Sequence, residues 1–395
     1  MTNTIHWLGA GLSSIPGIKR LAQGQHPLIV WNRSLSKAQS TLAGIEDENS
    51  NPVNVQQLDW KTLEETINKG DVVVSMLPAT KHIEVAQLCL AKNAHFVSSS
   101  YISPEMAALN EQAKKLELSF VNEVGLDPGL DHLLAHLLVD DYQSSESFST
   151  DNQLSFRSYC GGFPKVANDF KYKFSWSPLG VLKALKSPAK WLKNGVTATS
   201  QAPWEALSDY TIALSEGSET FQAYPNRDSL PFLQQYGFNE SWTVDEFVRG
   251  TLRLEGWSTA WQYLFDEIAE LAASDKSADE IEQRLTEISQ ELEQKYSYDN
   301  NEPDRVVLSV DLVAKKAGKE VWHKSYLLDA CGNDQGQAMA RLVSIPVSLA
   351  IESVLANNSP IGVSAAPHQP VAIKPWLTEL GSLGEEFHLK DHLAG

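Results

Sequence analysis

IHWLGAGLSSI, residues 5–15, decides the fold: a mainly apolar run of strand character leads straight into Gly9-Ala10-Gly11, and Ile15 opens a helix. A glycine turn in that setting suits a dinucleotide's pyrophosphate. Gly9 permits the tight turn, Gly11 lets backbone approach the phosphates, and Ser14 replaces the third glycine, where only a small residue is needed. Outward from this stretch, strand and helix patterns alternate: Leu28–Trp31 then a helix from Leu35, Val72–Met76 then one from His82, His95–Val97 then one from Pro104, and Ser119–Val121. Strands too continuously apolar for a half-exposed sheet predict a parallel sheet covered on both faces, an α/β doubly wound domain of Rossmann type. An ordinary strand-to-helix turn is the bland alternative for the glycines.

The end of the second strand carries Asn32, Arg33 and Ser34, where an NAD site usually presents an acid to the ribose hydroxyls. An acid would repel a 2′-phosphate, whereas Arg33 pairs with one and Asn32 and Ser34 donate to it, so NADP is favoured. An exposed arginine at a helix start is the competing reading. Leu77 and Pro78, after Met76, stand where the cofactor's ribose would cross, and Ser98, Ser99, Ser100 and Tyr101 follow the next strand in the same way. Ligands of open α/β sheets bind outside the carboxyl ends of strands, which places all of these well. Ser13 and Val124 complete the expected cofactor contacts.

NEVGLDPGLDH, residues 122–132, joins this region to the next. Asp127 and Pro128 read as N-cap and first position of a helix running from Leu130 toward Val139. Unpaired N–H groups there would favour an anion, with Gly125 and Gly129 clearing its approach. Asp127 is also placed to orient an amine or a water; as a general base it competes with His132, five residues on, although a histidine on a largely apolar helix is more often a structural hydrogen bonder.

At 395 residues and 42% hydrophobic, the chain is long enough for two cores. A strand almost at the first residue leaves no room for a signal peptide, and the longest apolar run falls short of a membrane span, so no membrane partner is expected. Cys89, Cys160 and Cys331 are odd in number and widely spaced, which fits a reducing cytoplasm and neither a disulfide framework nor a metal site. A net charge of −18 argues against nucleic acid, since affinity for it comes from neutralising phosphates. Residues 266–304 hold thirteen acidic against three basic residues. There Ser277 and Glu280 form a capping box, and Ile281, Leu285, Ile288 and Leu292 make one apolar stripe.

After residue 126 the period changes. Gln153–Cys160, Phe221–Tyr224, Phe247–Leu254, Val306–Ala314 and Glu320–Leu328 read as strands of an α+β domain. The expected division is 1–126 for the dinucleotide, 127–356 for substrate and dimerisation with a helical insertion at about 261–300, and 357–395 returning to the first domain. Gln337–Ala356 reads as a helix interrupted at Pro346. SYCGGFP at 158–164 sets two glycines after a strand, suggesting backbone close to something; KFSWSP at 173–178 holds Trp176 between serines; YPNRDS at 224–229 puts Arg227 in a turn, where its planar fork suits a substrate carboxylate.

GLDPGLDH, SYCGGFP, KFSWSP, YPNRDS and RGTLRLEGW, in this order after a dinucleotide fold, resemble the glutamate-forming saccharopine dehydrogenase family. The resemblance implies an NADP-binding first domain, a homodimer, and a small amino-acid substrate oxidised at a carbon–nitrogen bond. It makes Tyr101, Asp127, Trp176 and Arg227 substrate contacts, with Cys160 and His132 as nearby candidates, and Gly9, Gly11, Arg33 and Ser34 cofactor contacts. Two alternatives stand beside it: a reductase of a polyamine-derived imine such as carboxynorspermidine, and a noncatalytic NADP-binding regulator.

Overall fold

The structure, a computed structural model, describes residues 2–43, 51–299 and 301–394. Residue 300, closing the expected insertion, and both terminal residues lie outside that description. The chain forms two compact units, 1–133 with 334–367 and 134–333 with 368–395.

The first unit is built on seven parallel strands: β1 (Ile5–Leu8), β2 (Leu28–Asn32), β3 (Asn54–Gln57), β4 (Val72–Ser75), β5 (His95–Val97), β6 (Ser119–Val121) and, from far along the chain, Gly362–Ser364. The late strand adds to the β6 edge, and the remaining order is 3-2-1-4-5-6, the doubly wound arrangement expected. Crossovers run to opposite sides from β1 and β4, leaving a crevice at their carboxyl ends. One face buries Leu8, Trp31, Val73, Val85, Phe96 and Phe120 in a shared core. β3, NVQQ, was not among the expected strands: it is a half-exposed edge without an apolar pattern.

The helix Ala338–Leu355 belongs to this unit, not to the second domain as expected. It lies against the helix Ile15–Ala22 so closely that a Cβ at Gly17 would stand 2.4 Å from the Ser344 carbonyl oxygen. Gly17 N donates to Ser344 Oγ at 2.9 Å, and Arg20 pairs with Glu352 at 2.8 Å. It also runs through Pro346 without the expected interruption. By length and composition this helix would suffice to cross a membrane, with mean hydropathy 1.6, contrary to the expectation of only short apolar runs; 72% of it is buried inside the protein.

In the second unit β7 (Gln153–Pro164) is the hub, parallel to β12 (Thr243–Leu254) on one side and antiparallel to β13 (Asp304–Lys316) on the other. Between them in sequence come β8 (Ala189–Lys193), β9 (Val196–Ser200), β10 (Ser208–Leu214) and β11 (Gly217–Pro225), and after them β14 (Lys319–Cys331), β15 (Gly362–Ser364, the late strand of the first unit) and β16 (His388–Asp391). The sheet order is β10-β11-β12-β7-β13-β14-β16, with β8 and β9 attached at β12. Because β16 pairs with β14, residues 368–395 return to the second unit, and only β15 and its flanks join the first.

The insertion consists of the helices Gln262–Ala273 and Ala278–Tyr296. The capping box at Ser277 and Glu280 forms as read, and Leu285, Ile288 and Leu292 bury their stripe against the aromatic core of Trp257, Trp261 and Phe265. The first glycine of SYCGGFP, Gly161, has a scaffold cause. A Cβ at Gly161 would lie 2.5 Å from the Leu252 carbonyl oxygen on the neighbouring β12, so the close object is the sheet's own backbone.

Candidate functional site

Gly9 turns the chain out of β1 at φ +99°, and a Cβ there would meet the Met76 carbonyl oxygen at 2.9 Å and Leu77 at 3.5 Å. The turn is thereby pinned over the end of β4, with Ser14 Oγ and Trp7 Nε1 both donating to the Gly9 carbonyl. A Cβ at Gly11, by contrast, would meet nothing within 4 Å among the described residues. Open space above that backbone fits a pyrophosphate. Ser13 is half-buried in the same turn, and Pro78 is exposed.

At the end of β2, Arg33 is exposed and no acid stands beside it in sequence, which fits a 2′-phosphate. Its neighbours are more committed than expected. Asn32 Oδ1 accepts from Ala10 N at 3.3 Å and its Nδ2 donates to the Ser34 carbonyl, while Ser34 Oγ caps the next helix by accepting from Lys37 N. Asn32 thus ties the glycine turn to β2. Val124 is fully buried after β6.

The same carboxyl edge brings two candidates together. Tyr101 OH donates to Asp127 Oδ1 at 3.1 Å, and both side chains are half-buried. Asp127 is therefore not the N-cap expected, and Pro128, joined to it by a cis peptide, lies outside the helix Leu130–Ser144. Nor is that helix start open to an anion. Gly129 N donates to Asp131 Oδ1 at 2.7 Å, Leu130 N to Gly125 O, Asp131 N to Leu126 O and His132 N to Gly129 O.

His132, 1% exposed, sits with Nε2 3.2 Å from Glu123 and Nδ1 3.5 Å from Asp131. Glu123, which the sequence reading passed over, also accepts from Ile102 N at 3.0 Å and so holds the loop carrying Tyr101. Its backbone is left-handed, at φ +57°, a conformation no side-chain pattern announces.

In the second unit, Cys160 on β7 lies opposite Thr251 of β12 and is buried. Paired residues share a face, and along β12 that face also carries Arg249 and Arg253. Arg227 follows β11 with φ +56°, its carbonyl accepting from Lys190 N at 2.8 Å. Next to it, Asn226 N donates to the Arg249 carbonyl at 2.9 Å, so the two arginines come from adjoining positions. Arg249 is 4% exposed, its guanidinium 4.0 Å above the Phe232 ring. Arg249 opens the motif RGTLRLEGW, and an arginine within an apolar strand is the signal in the sequence that marks it. Trp176, 36% exposed, lies over the start of the helix Pro178–Leu185, where a Cβ at Gly180 would touch its ring. Tyr172 is hydrogen-bonded to Trp176, and burial raises its phenol above the usual range.

A sheet in 3-2-1-4-5-6 order, with a pinned glycine turn and open space at Gly11, defines a dinucleotide-binding α/β protein. Residues 5–121 match the saccharopine dehydrogenase NADP binding domain and residues 125–384 the saccharopine dehydrogenase C-terminal domain. The chain belongs to the saccharopine dehydrogenase family, and its first unit is an NADP-binding domain. It is 34% identical over 268 residues to saccharopine dehydrogenase [NADP(+), L-glutamate-forming] of Pyricularia oryzae, a match covering 67% of this chain and 57% of that one. The chain thus spans little more than half of that relative. The Schizosaccharomyces pombe protein of the same name is 28% identical, with 88% and 90% covered. Among solved structures, the apo saccharopine dehydrogenase (L-Glu forming) of Saccharomyces cerevisiae superposes with TM-score 0.78 at 28% identity, covering 98% of this chain and 99% of that one.

Proposed function

We propose that the chain interconverts L-saccharopine with L-glutamate and L-2-aminoadipate 6-semialdehyde, using NADP. The observation that carries this reading is the Tyr101–Asp127 hydrogen bond at the carboxyl edge of the parallel sheet, where a nicotinamide and its substrate meet in this fold class. NADP+ supplies the hydride acceptor. In the oxidative direction the lysine-side carbon loses hydride, its bond to nitrogen becomes a double bond, and water adds to that carbon. Cleavage of the carbon–nitrogen bond then releases glutamate and the semialdehyde, with one proton passing to solvent.

Asp127 takes the general-base role. It is half-buried and in contact with a phenol, whereas His132 is enclosed between Glu123 and Asp131 and serves the scaffold. Tyr101 orients the carboxylate. Arg227 supplies positive charge for a carboxylate, the planar guanidinium matching one bidentately. The exposed Arg33 after β2 holds the 2′-phosphate, which is why NADP is preferred to NAD.

The test is absorbance at 340 nm with purified protein, L-saccharopine and NADP+ or NAD+ at mildly alkaline pH. Turnover favouring NADP+ is expected. NADPH binding without turnover would overturn the assignment, and turnover with carboxynorspermidine would replace it. A homodimer and a cytoplasmic location belong to the same reading, supported by family membership and by Cys89, Cys160 and Cys331, all free thiols. Light scattering tests the first.

A further inference from the structure

The scheme above gives His82 no role. This residue opens the helix His82–Lys92 after β4, is 7% exposed, and meets Phe96 edge-on at 6.5 Å. Its Nδ1 is 2.8 Å from Ser75 Oγ, at the end of β4, and its Nε2 is 2.8 Å from Ser100 Oγ, after β5. Burial lowers its pKa from 6.5 to about 4, so at neutral pH it is an uncharged imidazole with one donor and one acceptor. Hydroxyls suit both nitrogens, since each can donate or accept.

Ser100 is tied down further. Its N donates to Ser98 Oγ at 3.1 Å, and its carbonyl accepts from Glu123 N at 3.1 Å. On the other side of Tyr101, Ile102 N donates to Glu123 Oε1. The residue that meets Asp127 is thus flanked by two anchored neighbours, one held by His82 and the other by Glu123. Both nitrogens of the buried ring are satisfied at 2.8 Å, and one of the two bonds reaches the loop that carries Tyr101.

We propose that His82 is a positioning residue: by holding Ser100 through Nε2 from the start of its own helix it fixes the loop 98–102 and with it the angle at which Tyr101 meets Asp127. The catalytic consequence rests on the saccharopine reading; the structural linkage does not. Substitution by amides separates the two nitrogens, because an Asn amide falls near Nδ1 and a Gln amide near Nε2. H82N keeps the contact to Ser75 and loses Ser100, and H82Q does the reverse.

Two measurements test this. With L-saccharopine, kcat is expected to fall about 10- to 100-fold in H82N, with KM for NADP+ unchanged, and to recover largely in H82Q. Equal losses in both variants would overturn the proposal in favour of plain packing. Independently of any turnover, the Tyr101 resonance in protein with 13C-labelled tyrosine, assigned by its loss in Y101F, is expected to move in H82N and hold in H82Q. Should wild-type protein turn over no saccharopine while that resonance behaves as expected, the function reading fails and the positioning role stands. A resonance indifferent to both variants overturns the positioning role whatever the turnover. If H82N does not fold, S100A removes the same hydrogen bond and is expected to shift Tyr101 likewise; no shift there overturns the proposal.

Discussion

Two sets of buried polar groups, one in each unit, are held differently. In the first they bond to one another: His6 to Asp71 at 3.2 Å, His82 to Ser75 and Ser100, and Glu123 to His132. In the second, buried cations lie against ring faces: Arg249 over Phe232, and Arg253 with its guanidinium 5.0, 5.6 and 5.4 Å from the rings of Tyr172, Tyr224 and Trp257. Arg253 Nε has no hydrogen-bond partner among the described residues. Hydrogen bonds fix direction, whereas a ring face steadies a cation without fixing the direction of its N–H groups. On the proposed function, the first set steadies the loop that carries Tyr101 beside Asp127, and the second keeps guanidinium groups against aromatic rings.

The comparison breaks first at Asp127. Asp127→Ala is expected to lower kcat by about 10²- to 10⁴-fold, the usual contribution of a general base, with unchanged circular dichroism. A loss confined to KM would move Asp127 from chemistry to binding. In the second unit, Arg227→Ala should act on the substrate alone, costing about 2–5 kcal/mol in kcat/KM for saccharopine, with NADP+ affinity by calorimetry unaffected.

His82 gives the pH dependence. Its folded-state pKa of about 4 lies below the ordinary 6.5, so between these values the unfolded chain binds a proton that the folded chain refuses. Stability is therefore full above pH 6.5 and lost as pH falls toward 4, by about 3 kcal/mol at most. Denaturant midpoints across that range should flatten in H82Q. The smallest effect is expected at Ser277→Ala, which removes the cap of the helix Ala278–Tyr296 and costs about 1 kcal/mol in stability, leaving kcat untouched. A change in kcat there would show that the insertion takes part in turnover.

The strands β1, β2, β4, β5 and β6 were legible because both faces are buried, which leaves continuous apolar runs. β3 was not, since an edge strand needs no such run. The glycine turn was legible because local backbone demands named its residue types. The cap reading of Asp127 failed, since the spacing of Asp and Pro before a helix is the same whether the carboxylate turns inward to the helix or across to Tyr101. Glu123 was missed because its contacts come from residues 102 and 132, and no local pattern marks a carboxylate joining two loops.

By itself the sequence determined the parallel sheet, its glycine turn, the NADP reading, the capped acidic helix and, through five ordered motifs, the family. These rest on interactions within a few residues or on periodic burial, which a single chain displays directly. Only the tertiary structure decided that Ala338–Leu355 packs on Ile15–Ala22, that residues 362–364 complete the first sheet while 388–391 edge the second, and that Tyr101, Asp127, Glu123 and His82 share one hydrogen-bonded edge. Those outcomes depend on which small side chains let two backbones approach and on which buried polar group finds which partner, and both are settled between residues tens to hundreds of positions apart.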